Sequence, residues 1–390
     1  MKWGGRLPQT GEAVEIWAED GKISSIRRLA AEANGQLPWL SAGWIDLQVN
    51  GFGGYDLNGE ETTAEDIAGV TRSLHAHGVT SYLPTVITGS FARMSQGLSA
   101  IAKCCAESAL VRSSILGIHL EGPYLSSERG SRGAHPKEYT RDPDWNEFQR
   151  LQEAAGGLIR MVTVAPERQG AVAFIEQLVK AGIVVAIGHT KATAEELDAA
   201  VRAGATLSTH LGNGAEPVLP RLSNYIWNQL ADDRLWASLI PDGHHLPPAV
   251  LKVMTRAKGH KSVFVSDGTK FGGMQPGRYP SLIGGEVVLT ESGLLHTAED
   301  PNILAGSALS LATGIVNAIK YTDMHLKDAI DAITARPAMI MGESRLGTLK
   351  VGNPANITLF SYNDKLQGEL TVVETVVAGV SVFKHGVEAV

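Results

Sequence analysis

Short apolar runs that alternate with amphipathic helical stretches are the feature that most constrains the fold of this chain. Eight such runs are each followed by polar or turn residues, which is typical of buried strands in a parallel sheet. The runs are 44–50, 79–87, 115–121, 159–166, 183–189, 205–210, 236–241 and 262–267. One intervening helix is expected to begin at Thr62 or Thr63 and to end before Gly78. This alternation predicts an α/β fold, a (β/α)8 TIM-like barrel.

The two ends of the chain differ from this middle part. Both are rich in β-branched residues and turn signals. We therefore expect a small β-sandwich domain built from residues 1–42 and 343–390, beside a catalytic barrel of residues 43–342. A hairpin is expected at 281–300, after the eighth strand. A doubly wound open sheet is the alternative to the barrel, but no GxGxxG motif follows the first strand.

Composition narrows the possible partners. The formal net charge of −7 argues against nucleic acid or an anionic membrane surface. The N-terminus has no apolar signal region, and no apolar run reaches the roughly 18 residues that a membrane span needs, so neither secretion nor a membrane span is expected. Cys104 and Cys105 are adjacent, which favours two reduced thiols in a cytoplasmic protein.

Polar side chains that can bind a metal or move a proton end six of the eight predicted strands. They are Asp46, Gln48 and Asn50, then Glu121, His189, His210, Asp242, His244, His245 and Asp267. In a barrel the carboxyl ends of all strands meet at one mouth. A carboxylate with two imidazoles leaves a position for water, as in hydrolytic metal sites, and a further aspartate can move the proton. Taken singly, each residue is more often a cap, an ion-pair partner or a core histidine, but together they predict a metal-dependent hydrolase.

Motifs spread along nearly the whole chain carry a family resemblance. The main ones are AGWIDLQVNGFGG (42–54), HLEGPYL (119–125), RGAHPKE (132–138), GHTKAT (188–193), THLGN (209–213), PDGHH (241–245) and RLGTLKVGNPANITLF (345–360). The chain resembles the N-acetylglucosamine-6-phosphate deacetylase family of the amidohydrolase superfamily. The resemblance implies a metal ion, Zn²⁺ or Fe²⁺, bound by Glu121, His189 and His210. It also implies that Asp267 is the catalytic acid and base.

The resemblance assigns further residues. His135 is expected to polarise the substrate carbonyl and to stabilise the oxyanion. Many amidohydrolases carry HxH on the first strand for a second metal, whereas Gln48-Val49-Asn50 stands here, so one metal is expected. The implied substrate-binding residues are Gln48, Asn50, Gly122, Asn213, Gly214, Arg221 and His245. The last two would bind the phosphate, with one subunit of a homodimer reaching into its neighbour.

The chain departs from the family pattern in the loop after His210. Residues 211–228 are changed and carry Leu222, Tyr225 and Trp227. The favoured function is deacetylation of an amino sugar phosphate, preferably N-acetylglucosamine 6-phosphate. The changed loop leaves open a different N-acylated amino sugar, another epimer or an unphosphorylated sugar, or another amide. A non-catalytic binding protein on the same barrel is a remote alternative, and it would be expected to lack part of the metal set.

Overall fold

The computed structural model describes residues 1–30, 37–282, 285–363 and 369–387. The strands in chain order are β1 (Lys2–Arg6), β2 (Ala13–Glu19), β3 (Lys22–Arg28), β4 (Trp39–Ala42), β5 (Trp44–Val49), β6 (Gly51–Phe52), β7 (Tyr55–Asp56), β8 (Val79–Ile87), β9 (Ile118–Glu121), β10 (Ile159–Val164), β11 (Val184–Ile187), β12 (Leu207–Ser208), β13 (Trp236–Leu239), β14 (Ser262–Phe264), β15 (Gly277–Ser281), β16 (Gly285–Leu289), β17 (Leu295–Thr297), β18 (Ile357–Asn363), β19 (Glu369–Val377) and β20 (Val380–Lys384). The helices are α1 (Ala64–Ala76), α2 (Phe91–Glu107), α3 (Ala109–Ser114), α4 (Arg129–Arg132), α5 (Trp145–Ala154), α6 (Ala171–Lys180), α7 (Ala194–Arg202), α8 (Tyr225–Ala231), α9 (Pro248–Lys258), α10 (Leu311–Tyr321), α11 (Leu326–Asp331) and α12 (Ala335–Ile340).

Eight strands form one parallel sheet, in the order β14-β13-β12-β11-β10-β9-β8-β5. A parallel bridge between Val49 and Gly268 joins the first of these strands to the chain after the last one, which closes the barrel. Apolar side chains from most of the strands form one buried cluster, including Ile45, Leu47, Leu83, Met161, Ala186, Leu207 and Val263. The predicted (β/α)8 TIM-like barrel is confirmed, and each strand lies within its predicted segment.

Helices cover the outer face of this sheet. Helix α1 follows the sequence signal, because the Asp66 amide donates to the Thr63 hydroxyl and the Thr63 amide donates to the Asp66 carboxylate. Gly78, with a φ of +85°, follows the helix. The apolar face of the helix, with Ile67 and Leu74, belongs to the largest buried cluster. In the described part of the chain, no helix is both long and apolar enough to cross a bilayer.

Both chain ends contribute to a second sheet, in the order β20-β19-β18-β4-β1-β2-β3. Trp3 Nε1 donates to Glu374 Oε1 at 3.1 Å, which links the two ends of the chain. A small β domain built from both termini is therefore confirmed. Its boundaries, 1–42 and 343–390 around a barrel of 43–342, stay a prediction. Within those boundaries, the residues outside the described part are 31–36, 364–368 and 388–390.

Two elements differ in extent from the sequence expectation. The hairpin expected at 281–300 is part of a three-stranded antiparallel sheet, β15-β16-β17, which already begins at Gly277. Its residues 283–284 lie outside the described part. The sixth barrel strand contains only Leu207–Ser208, because the chain turns at His210, where φ is +29°.

Candidate active site

A carboxylate and two imidazoles converge at the C-terminal mouth of the barrel. Glu121 Oε1 lies 3.0 Å from His210 Nε2 and 3.4 Å from His189 Nε2. One ligand atom from each residue lies within 4.8 Å of the others, and all three side chains are buried. We call Glu121, His189 and His210 the metal cluster. Three such ligands can hold a divalent ion and leave a coordination position open.

Hydrogen bonds around the metal cluster prepare it for a cation. His189 Nδ1 lies 3.0 Å from the Ser131 carbonyl oxygen, so Nδ1 carries the hydrogen. Nε2 therefore faces Glu121, where it can donate to this carboxylate or, without its hydrogen, bind a metal ion. Gln48 Nε2 donates to Glu121 Oε1 at 2.9 Å and fixes the carboxylate. The residues present thus fit a bound divalent metal ion.

The backbone is strained at three of these strand ends. The φ angle is +49° at His189, +29° at His210 and +49° at Asp267. Among the described residues, only Asp20 and Ala378 are further non-glycine residues with positive φ. Such conformations cost roughly 1–3 kcal/mol each and cluster at functional sites. Here they turn the three side chains into a common cavity.

The charges within the metal cluster depend on one another. Burial would raise the pKa of Glu121, but the hydrogen bonds and charges of His189 and His210 outweigh burial and hold that pKa well below its usual range. Burial would lower the pKa of His210, yet the Glu121 carboxylate raises it. The metal cluster therefore favours an ionised Glu121 that is faced by positive charge, which is the environment that a cation supplies.

Asp267 lies beside the metal cluster at the end of the eighth strand. Its Oδ1 accepts a hydrogen bond from Asn50 Nδ2 at 2.8 Å. Burial, assisted by the charge of Glu121, raises the pKa of Asp267 to about 6. A carboxyl group with such a pKa exchanges protons near neutral pH, as a general acid and base must. The position of Asp267 therefore agrees with its predicted role.

His135, on the loop after β9, is the second predicted catalytic residue. Its Nε2 lies 3.2 Å from His189 Nε2. Because His189 Nε2 faces Glu121, it is not free to accept a hydrogen bond from His135, and the ring hydrogen of His135 stays available for another partner. Burial, together with the neighbouring His189, lowers the pKa of His135 to about 3, so the ring is neutral. An N–H group directed at the metal cluster can donate to a developing negative charge.

The metal cluster opens into a cavity of about 780 Å³. The predicted site residues that line it are Asn50, Glu121, His135, His189, His210, Asn213, Gly214, His245 and Asp267. Gln48 and Gly122 are not among the described lining residues. Gln48 instead donates a hydrogen bond to Glu121, and Gly122 is the next residue in the chain after Glu121. Arg221 is exposed to solvent and also lies outside the described lining.

His245 is held at the cavity by an acidic residue that the sequence had marked only as a strand end. Asp242 Oδ2 lies 2.8 Å from His245 Nδ1 and accepts a hydrogen bond from Ser307 Oγ at 2.9 Å. Burial would raise the pKa of Asp242, but the hydrogen bond and charge of His245 outweigh it and keep the pKa well below normal. Because a carboxylate only accepts, His245 Nδ1 carries the hydrogen and the ring is fixed in orientation.

Part of the cavity lining was not predicted from the sequence. Arg129, at the start of α4, lines it and pairs with Asp300 at 3.5 Å. Residues 300–306, which follow the inserted sheet, line it as well. Residues 304–306 begin LAGSALSL (304–311), a further motif of the family resemblance, whereas 300–303 have no metal-binding or catalytic motif and are identified only by their position in the fold.

Known proteins provide independent evidence on this site. Residues 39–382 match the sequence model of the amidohydrolase family. The chain belongs to the amidohydrolase family. The amidohydrolase superfamily is metal-dependent, and the metal cluster can hold such an ion.

Two curated relatives and one solved structure refine the position of this amidohydrolase. It is 30% identical over 362 residues to the N-acetylglucosamine-6-phosphate deacetylase of Haemophilus influenzae, covering 92% of this chain and 91% of that protein. It is 32% identical over 346 residues to the N-acetylgalactosamine-6-phosphate deacetylase of Escherichia coli O157:H7, covering 87% and 88%. The structure of a mutant N-acetyl-D-glucosamine-6-phosphate deacetylase from Mycobacterium smegmatis, in complex with N-acetyl-D-glucosamine-6-phosphate, superposes with a TM-score of 0.85 at 28% identity, covering 98% and 99%. The family resemblance seen in the motifs is therefore confirmed.

Proposed function

We propose that this amidohydrolase is a cytoplasmic, metal-dependent deacetylase of an amino sugar phosphate. The favoured reaction is hydrolysis of N-acetylglucosamine 6-phosphate to glucosamine 6-phosphate and acetate. The observation that carries the proposal is the buried metal cluster next to Asp267, in a chain that matches deacetylases over nearly its whole length. A non-catalytic protein has no need of this set, which argues against the remote alternative.

The proposed mechanism assigns a step to each polar residue around the metal cluster. A divalent ion bound there, Zn²⁺ or Fe²⁺, would supply Lewis acidity and lower the pKa of a coordinated water to about 7. Asp267 takes the proton of the attacking water and delivers it to the leaving nitrogen, a contribution of roughly 10² to 10⁴ in rate. His135 Nε2–H donates to the carbonyl oxygen as it becomes negative. Asn50 holds Asp267, and Gln48 holds Glu121, so both carboxylates keep their orientation.

The identity of the sugar has a second candidate. The Escherichia coli relative is named for N-acetylgalactosamine 6-phosphate, and its identity to this chain, 32%, is close to the 30% of the Haemophilus influenzae relative. N-acetylgalactosamine 6-phosphate is therefore the alternative epimer. The changed loop 211–228, which contributes Asn213 and Gly214 to the cavity, keeps unphosphorylated sugars and other amides in the comparison.

Acetate release from a panel of substrates tests the proposal. The panel contains N-acetylglucosamine 6-phosphate, N-acetylgalactosamine 6-phosphate and unphosphorylated N-acetylglucosamine. We expect the first to have the highest kcat/KM, and Glu121→Gln to lose both metal and activity. Metal analysis should find about one zinc or iron per chain. Equal rates with and without phosphate would contradict the proposed substrate. A wild-type protein that is metal-free and inactive would contradict the proposal that the chain is a metal-dependent enzyme.

We further propose a homodimer in which Arg221 reaches the phosphate of the neighbouring subunit. Arg221 lies on a loop with the highly exposed Val218 and Leu222, which are 84% and 78% accessible, so the loop offers apolar surface to a second copy. Sedimentation should give the mass of a dimer. Mixed dimers of Arg221→Ala and Asp267→Asn chains should regain activity, because one of their two sites is intact. A monomeric active enzyme would refute the proposal.

A further inference from the structure

The cavity has one arginine that the family resemblance did not point to. Among the described residues that line the cavity, Arg129 is the only arginine or lysine. Its side chain is 68% exposed, and its Nη2 lies 3.5 Å from Asp300 Oδ2, which is a long contact for an ion pair. The guanidinium group therefore keeps most of its hydrogen-bonding capacity for another partner.

The charge balance of the cavity calls for such a cation. Three carboxylates line it, those of Glu121, Asp267 and Asp300. A bound metal ion would offset the charge of Glu121, but Asp267 and Asp300 would still repel a phosphate group, which carries about −1.5 to −2 at pH 7, unless positive groups faced it. Five histidines among the described residues also line the cavity: His189 and His210 belong to the metal cluster, His135 lies against His189, His245 Nδ1 pairs with Asp242, and His244 Nε2 lies 2.9 Å from the Ser292 carbonyl oxygen. His245 can therefore offer a phosphate only its Nε2 atom, and an arginine would supply most of the positive charge.

The loop that carries Arg129 is tied to the metal cluster. The Ser126 amide donates to the His189 carbonyl oxygen at 3.0 Å, and His189 Nδ1 donates to the Ser131 carbonyl oxygen at 3.0 Å. The hydroxyl groups of Ser126 and Ser131 lie 2.9 Å apart and close the loop. Gly130 packs so tightly on Glu216 that a Cβ there would lie 2.5 Å from the Glu216 Cα. The Arg129 backbone is thus fixed relative to the metal cluster, while its exposed side chain can exchange partners.

We propose that Arg129 binds the phosphate of the substrate from within the same chain. To do so, its guanidinium group breaks its contact with Asp300. The proposal rests on the proposed function and deepens it, because it names a second arginine, beside the Arg221 proposed above, that makes the enzyme prefer phosphorylated sugars. An arginine offers a phosphate two parallel N–H donors, which a lysine cannot reproduce. Asp300 competes with the phosphate for the same guanidinium and holds Arg129 at the cavity until the substrate enters.

Kinetics on paired substrates test this assignment. We compare Arg129→Met, Arg129→Lys and Asp300→Asn on N-acetylglucosamine with and without the 6-phosphate. Arg202→Met is the matched control, since Arg202 is also 68% exposed and also pairs with an aspartate, Asp198. In Arg129→Met the preference for the phosphorylated substrate, as a ratio of kcat/KM values, should fall by about 10- to 100-fold, mainly through KM. Arg129→Lys should keep part of it, Asp300→Asn should lower KM for the phosphorylated sugar, and Arg202→Met should change neither.

Two outcomes would overturn the assignment. An unchanged preference in Arg129→Met would show that the arginine does not bind phosphate, and an equal loss on both substrates would show that it only supports the loop. Calorimetry with glucosamine 6-phosphate and with glucosamine gives a readout that does not depend on turnover. Weaker binding of only the phosphorylated sugar to Arg129→Met supports the assignment even if the wild type cleaves a different acyl group. If the wild type releases acetate but Arg129→Met binds both sugars normally, the proposed function stands and the role of Arg129 falls.

Discussion

Replacing Asp267 with asparagine tests the proposed proton transfer most directly. The two side chains have almost the same shape, and an asparagine Oδ1 can still accept the hydrogen bond that Asn50 donates at 2.8 Å. The metal cluster is not altered, so metal content and substrate binding should remain. Only the ability to take and deliver a proton is lost.

The size of the effect follows from the position of Asp267. Removal of a well-placed general acid and base lowers the rate by roughly 10²- to 10⁴-fold. The pKa of Asp267, raised by burial to about 6, also predicts the pH profile. At pH 5 about one-tenth of such a group is ionised, and a bound cation can only lower this pKa. The wild-type kcat/KM should therefore decrease as the pH drops below this pKa, which lies at or below about 6.

Steady-state acetate release from pH 4.5 to 8.5 measures both effects. The kcat of Asp267→Asn should be roughly 10²- to 10⁴-fold lower than that of the wild type. Its pH profile should also lack the decrease at acid pH. Asp232→Asn, which removes a carboxylate that pairs with Arg234 outside the described lining of the cavity, should behave as the wild type. If Asp267→Asn keeps kcat within tenfold of the wild type while retaining its metal, the acid–base assignment is wrong.

Three further predictions concern the metal and stability. Dialysis against a chelator should abolish activity and lower the melting temperature, because metal binding to the folded chain stabilises it. Stoichiometric Zn²⁺ or Fe²⁺ should restore both. Full activity after verified metal removal would contradict this prediction. Gly214→Ala should weaken metal binding, because the added Cβ would lie 2.6 Å from His189 Nδ1. Gly342→Ala is the control: this glycine also has a positive φ but has open space around it, so the change should lower only the stability. Similar metal affinity in both variants would be evidence against the close approach. Burial lowers the pKa of His75 to about 4, below the unfolded value of about 6.5. As the pH falls, the unfolded chain therefore takes up the proton first. The free energy of unfolding should decrease by up to about 3 kcal/mol between pH 6.5 and pH 4. His75→Gln, which can still pair with Ser114, should show a smaller decrease in denaturant titrations, and an unchanged pH slope would exclude His75 as the cause.

The sequence revealed the metal cluster because a parallel barrel gives each strand end a fixed place. The apolar runs define the strands, and the residues that follow them must meet at one mouth, so ten polar residues were expected there without any contact information. The family resemblance then singled out Glu121, His189 and His210 as the ligands. Arg129 and Asp300 are different, because they lie 171 residues apart on two loops. Neither loop has a periodic pattern, and their contact arises from tertiary packing that the sequence does not display.

The substrate was harder to predict than the chemistry for a related reason. The reacting atoms are handled by side chains at strand ends, whereas the sugar and its phosphate are contacted by loops. The loop 211–228 departs from the family pattern, and Arg221 lies outside the described cavity lining, so its proposed contact needs a second chain. Relatives named for two different sugar epimers match the chain about equally well. Sequence similarity at this level therefore predicts the reaction more firmly than the substrate.

The left-handed backbone at His189, His210 and Asp267 has a consequence for engineering this protein. Glycine at any of these positions would relieve roughly 1–3 kcal/mol of strain, and a folded domain has a net stability of only about 5–15 kcal/mol. A selection for heat resistance alone, carried out without metal or substrate, would thus favour variants that have lost the active site. Libraries meant to yield a more robust enzyme should keep these three positions constant and should place their diversity on the outer helices and the terminal sheet.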